Sequence, residues 1–78
     1  MKLKKSLIKN LESVFKKELK IKKINLNNKL YDYKEWDSLG NFNILLACEK
    51  KFNIKFTPKE FSNLNSFKEI LQVVKKKI

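Results

Sequence analysis

Among the side chains able to carry chemistry, one serine stands in an informative place. Trp36-Asp37-Ser38-Leu39-Gly40 closes a stretch without helical periodicity and opens one that has it. A hydroxyl in the first turn of a helix meets unpaired backbone N–H groups and the positive end of the macrodipole, a favourable setting for a phosphate ester. The same Asp-Ser pair is also plain good capping, since either oxygen can accept a bond from an orphan N–H. The other nucleophiles are less well placed. Ser6, Ser13, Ser62 and Ser66, like Ser38, have no histidine to activate them, because the chain contains none. The 8 carboxylates are spread singly, so spacing suggests no catalytic acid pair. Cys48 lies among Ile44, Leu45 and Phe52, surroundings that raise a thiol's pKa and silence it. Glu49, flanked on its helix by Leu45, Leu46 and Phe52, reads as a rim position whose carboxylate reaches water.

The elements that must hold Ser38 follow from the apolar spacing. Leu3, Leu7, Ile8, Leu11, Val14, Phe15 and Leu19 recur at steps of three and four, which predicts an amphipathic helix over 3–18 with lysines on its wet face. From Lys20 to Trp36 the period is lost at Asn25, Asn27 and Asn28. Ile21, Ile24, Leu26, Leu30, Tyr31 and Tyr33 remain as scattered anchors. This is read as a long loop wrapping the core, long enough to suggest a functional role, with a short strand around 21–26 as the competing assignment. A second helix begins at Asp37-Ser38 and ends near Phe52-Asn53. Its apolar residues Leu39, Phe42, Ile44, Leu45, Leu46, Cys48 and Phe52 cover more than half its circumference, so it is expected to be mostly buried. Thr57-Pro58-Lys59-Glu60 is a capping box with proline at the first helical position, and it opens a short third helix. Ser66-Phe67-Lys68-Glu69 reads as a second capping box, followed by a helix with Phe67, Ile70, Leu71 and Val74 on one face and Lys75, Lys76 and Lys77 at its end. The expected fold is all-α: a small four-helix bundle with a long loop between helices 1 and 2 and a short third helix.

Composition bounds what such a chain does. Its 78 residues make one domain, 1–78, with a modest core and no room for a deep, walled active-site pocket. A lone cysteine and no histidine exclude an internal disulfide, a His/Cys zinc site and histidine base catalysis. A single glycine excludes a glycine-rich phosphate loop. The net charge of +11 comes entirely from lysine, with asparagine abundant and arginine absent, a pattern that AT-rich coding bias produces. Arginine is the preferred bidentate reader of phosphate and guanine, so no specific nucleic-acid partner is expected. The basic start Met1-Lys2-Leu3-Lys4-Lys5-Ser6 lacks the unbroken apolar run of a secretory signal or membrane span, being interrupted by Lys9, Asn10 and Glu12. The expectation is a cytoplasmic monomer with its thiol reduced.

With these elements in place, the chain resembles the acyl carrier protein family along most of its length. The family signature, Asp-Ser-Leu at the head of the second helix, reads here Asp37-Ser38-Leu39. A glutamate and then a phenylalanine at fixed distances, with hydrophobic residues shortly after, read Glu49, Phe52, Ile54 and Phe56. The hydroxyl-plus-apolar pair before the last helix reads Ser66-Phe67. The resemblance implies a carrier and not an enzyme. Ser38 would bear 4′-phosphopantetheine, added from coenzyme A by a separate phosphopantetheinyl transferase, and the arm's thiol would hold an acyl group as a thioester. Asp37 would help position the serine and the transferase's metal. Leu39 would be a partner contact and helix anchor, and Trp36 would pack near the root of the arm or simply in the core. The implied partners are that transferase, an acyl-loading ligase or acyltransferase, and downstream acyl-using enzymes.

Two departures qualify the resemblance. Family members are usually strongly acidic along the second helix, where this chain offers Gly40, Asn41, Asn43, Lys50 and Lys51 at positions read as exposed, with Glu49 the lone acid. The glycine often found before Asp-Ser is replaced by Glu35-Trp36. The Trp-Asp-Ser-Leu-Gly form looks like carriers of dedicated biosynthetic pathways. Two other readings stay open: a carrier of aminoacyl or peptidyl groups on the same arm, and a non-carrier basic module binding nucleic acid or an anionic membrane through the lysines crowding the first 29 residues.

Overall fold

Helices form where the apolar period predicts them. The computed structural model describes residues 2–78; the side chains of Lys2, Leu3, Lys4 and Lys5 lie outside the described residues. Four helices follow in order: α1 over Lys2–Leu19, α2 over Ser38–Phe52, α3 over Pro58–Asn63 and α4 over Phe67–Lys77. The fold is an all-helical bundle in which α1 packs against both α2 and α4. The alternative strand at 21–26 does not form; among the described residues the one bridge of strand type pairs Lys29 with Ser66.

The helix ends are set by local chemistry. Asp37, not Ser38, caps α2, its carboxylate accepting from the Gly40 N–H at 2.9 Å. Asn53 stops that helix in the left-handed conformation, a role suited to asparagine because its short polar side chain tolerates positive φ. Thr57 and Glu60 form the expected reciprocal box at α3. At α4 the expected box is only half made. Ser66 caps by accepting from the Glu69 N–H, but the Glu69 carboxylate accepts from Asn65 N–H at 3.3 Å instead of from Ser66.

One apolar cluster joins the elements. α1 contributes Leu7, Leu11, Val14, Phe15 and Leu19; α2 contributes Ile44, Leu45 and Cys48; α4 contributes Phe67, Ile70, Leu71 and Val74. Burying such side chains stabilises by about 1.5–3 kcal/mol each before entropy is counted. Phe15 sits at the centre, its ring 4.9 Å from both Trp36 and Phe67.

The structure revises the reading of α2 at several positions. Leu39, Phe42 and Leu46 are exposed, not buried. Asn41, read as exposed, is buried in the core. Its side-chain oxygen accepts from the Trp36 indole N–H at 2.9 Å, and its amide donates to the Leu64 carbonyl at 2.8 Å. Three polar groups in an apolar interior thus satisfy one another, as burial demands. Gly40 is also not a free surface position. A Cβ there would be driven into the Glu35 carbonyl oxygen and close against Leu19, so the absence of a side chain lets the loop end lie on the helix.

The long loop is tied down along its length. Ile24 is buried and Ile21, Leu30 and Tyr33 are packed against the core, while Leu26 and Tyr31, expected as anchors, are exposed. Tyr33 donates its hydroxyl to the Lys23 carbonyl at 2.7 Å. Leu30 N–H bonds to Asn65 O at 2.8 Å and Phe67 N–H to Asn28 O at 3.1 Å, stapling the loop to the start of α4.

Replacing Asn41 by alanine strands the indole N–H and the Leu64 carbonyl in the core. With each of the two buried orphans costing about 1–3 kcal/mol, Asn41→Ala is expected to lower stability by about 2–6 kcal/mol in urea denaturation. A loss within about 0.5 kcal/mol of zero, the range of ordinary surface changes, would contradict the bridging role.

Candidate functional site

Ser38 is the first residue of α2 and its side chain is exposed. Three features fix where it stands. Asp37 ends the loop in extended backbone and caps the helix, so the turn that carries Ser38 is well defined. Trp36, immediately before, is fully buried and held by Asn41. Tyr31 N–H bonds to the Trp36 carbonyl at 2.8 Å, which folds the loop back so that the Tyr31 hydroxyl lies 3.3 Å from Ser38 Oγ.

The four residues grouped at this site by the sequence therefore divide. Ser38 and Asp37 lie together at the surface, and Leu39 is beside them at 68% exposure. Leu39 is thus available for contact and does not anchor its helix from inside. Trp36 is core: with no exposed surface it supports the site from beneath and touches nothing that approaches it. Tyr31 is the residue that spacing did not reveal. It lies seven positions before Ser38 in a segment without period, and only the folded loop brings the hydroxyls together.

The setting offers Ser38 a helix N-terminus, and its side-chain hydrogen bond among the described residues is to the Tyr31 hydroxyl, not to a carboxylate. Asp37, the nearest carboxylate in the chain, spends one oxygen on the Gly40 N–H. Among the described residues no cluster of three His, Cys, Asp or Glu side chains could hold a metal ion. Cys48 is buried, and burial, aided by the charge of Glu18, pushes its thiol up to about 12; it stays protonated and unreactive at neutral pH. Glu49 does not simply reach into water, since its carboxylate accepts from Phe56 N–H at 2.7 Å and fastens the segment after α2. Backbone N–H donation from Lys29 and Thr57 holds the Asp32 and Glu60 carboxyls below their ordinary values, against desolvation, so both stay ionised at neutral pH.

Leu39, Phe42 and Leu46, at 68%, 47% and 40% exposure, are spaced to share one outer face of α2. Phe42 leans on Phe61 of α3, ring centroids 5.2 Å apart. Lys50 continues that face one turn beyond Leu46 and is exposed. α2 has no acid in its first turn, and its last turn carries Lys50 and Lys51. A surface depression of about 590 Å³ lies at the far end of the helix, lined in part by Leu46, Glu49, Asn53 and Ile54, and does not include Ser38. No helix among the described residues is long and apolar enough to cross a membrane.

Compared with protein-family models, with curated proteins and with solved structures, the chain finds no match.

Proposed function

We propose that this chain is a carrier protein whose Ser38 accepts a 4′-phosphopantetheine arm. The observation that carries the reading is the exposed Ser38 hydroxyl on the first turn of α2, on a loop end locked by a buried tryptophan. The residues fit the group. The hydroxyl is open to an incoming enzyme, and the helix N-terminus favours the negative charge of a phosphodiester. The absence of histidine in the chain fits a protein modified by another enzyme, not one that activates its own serine. In the transfer, Ser38 Oγ attacks the pantetheine-bearing phosphorus of coenzyme A. The phosphorus–oxygen bond to the nucleotide breaks, 3′,5′-ADP leaves, and the serine proton passes to a base on the transferase. The arm supplies a thiol for acyl groups held as thioesters, chemistry denied to the buried Cys48.

Partner choice follows from the outer face of α2. Leu39, Phe42 and Leu46 form an apolar strip that leads to Lys50, with no acid in the helix's first turn. Complementary potentials govern docking and like charges suppress wrong pairs. The carrier is therefore served by a loading ligase or acyltransferase, and by acyl-using enzymes, whose docking faces are apolar with acidic rims.

The modification itself is tested by intact mass. After incubation with coenzyme A and a broad-specificity phosphopantetheinyl transferase, the mass is expected to rise by one phosphopantetheinyl unit; Ser38→Ala abolishes the rise and Ser66→Ala does not. An unmodified chain, or an arm on another serine, sinks the carrier reading. The docking argument is tested by kinetics with a condensing enzyme adapted to acidic carriers. The native chain is expected to react slowly, and the double change Lys50→Glu, Lys51→Glu to raise the rate toward that of an acidic carrier. Equal rates for native chain and acidic carrier would show that charge on α2 does not select partners.

A further inference from the structure

Tyr31 is placed at a cost that nothing in its own packing explains. Its φ is 74°, the left-handed region that a bulky side chain avoids. The residue is 67% exposed, so burial gives little in return. Its N–H is bound to the Trp36 carbonyl at 2.8 Å. The next residue, Asp32, is fixed by accepting from Lys29 N–H at 2.8 Å. This geometry aims the phenol at Ser38 Oγ, 3.3 Å away, its polar side-chain contact among the described residues.

We propose that Tyr31 is a positioning residue for Ser38, holding its oxygen before the arm is attached and holding the phosphodiester afterwards; this rests on the carrier reading above. The proton inventory gives the direction. In the free protein either hydroxyl can donate to the other. Esterification sends the serine proton to the transferase, and the phenol O–H is then the pair's one remaining donor. The charged phosphodiester oxygens are better acceptors than a hydroxyl, so the bond passes from Ser38 Oγ to the phosphate and tightens. The root of the arm is thereby tethered to the loop, while the rest of the arm remains free to visit partner enzymes.

The test compares native chain, Tyr31→Phe and Tyr33→Phe. Tyr31→Phe keeps the ring and the backbone and removes one exposed oxygen, so its thermal midpoint is expected to match the native chain. Tyr33→Phe loses a structural bond to the Lys23 carbonyl and serves as the control that changes stability without reaching Ser38. With coenzyme A and the transferase, Tyr31→Phe is expected to lower kcat for arm transfer about 2- to 10-fold, the loss of one neutral hydrogen bond, with KM for the protein unchanged. In the modified proteins the ³¹P resonance of the phosphodiester shifts in Tyr31→Phe and stays in place in Tyr33→Phe. A Tyr31→Phe chain with native kcat and a native ³¹P resonance overturns the proposal. So does a change in KM alone, which would make Tyr31 a docking contact. A native chain that gains no mass overturns the carrier reading and this inference with it, so the mass measurement separates the two failures.

Discussion

A single buried amide holds the end of the long loop and the head of α2 together. Asn41 lies inside an apolar core, where an unpaired polar group costs about 1–3 kcal/mol. It is tolerated there because it meets the Trp36 indole N–H on one side and the Leu64 carbonyl on the other. Each of the three groups needs the others. The bridge therefore joins the last turn of the long loop, the first turn of α2 and the segment between α3 and α4 at one point, with Phe15 of α1 packed edge-on against the indole.

The site inherits its geometry from that point. Trp36 cannot move without exposing both its ring and its N–H, so Asp37 and Ser38 leave the core in one direction. Gly40 allows the Glu35 carbonyl to lie against the helix, closing the loop onto α2. The Trp36 carbonyl in turn receives Tyr31 N–H, and this places a second hydroxyl at the serine. Core packing thus sets a surface arrangement without contributing a group to the surface. The outer face of α2 is left to Leu39, Phe42 and Leu46 followed by lysine, an apolar and cationic surface on the helix that begins at Ser38.

The fold was largely legible because helical periodicity and caps are local signals. The stripe of α1 from Leu7 onward, that of α4, the Thr57-Pro58 start and the non-helical loop stand in the structure as expected. What was not legible depends on contacts distant in sequence. On α2 the apolar residues go most of the way round, and composition alone does not say which of them a partner element covers. Phe42 and Leu46 therefore read as part of a mostly buried helix and Asn41 as surface, the reverse of what the fold makes of them, while Leu39, read as both partner contact and helix anchor, is exposed. An asparagine carries no sign of burial until its partners, 5 and 23 residues away, are brought to it. The place of Ser38 at a helix start is legible from the local pattern. Tyr31 was missed because its approach depends on a left-handed backbone turn that no periodicity encodes.

The central claim is that the loop and the head of α2 are one cooperative unit locked by the Trp36–Asn41–Leu64 bridge. Native-state hydrogen exchange across a urea series tests it most directly. The Trp36 indole N–H and the Leu30 and Tyr31 backbone N–H groups should exchange with the opening free energy and urea dependence of whole-chain unfolding. Exchange of these protons through a low-energy, urea-independent opening, with the helices still protected, would show that the loop moves independently of the core and contradict the account.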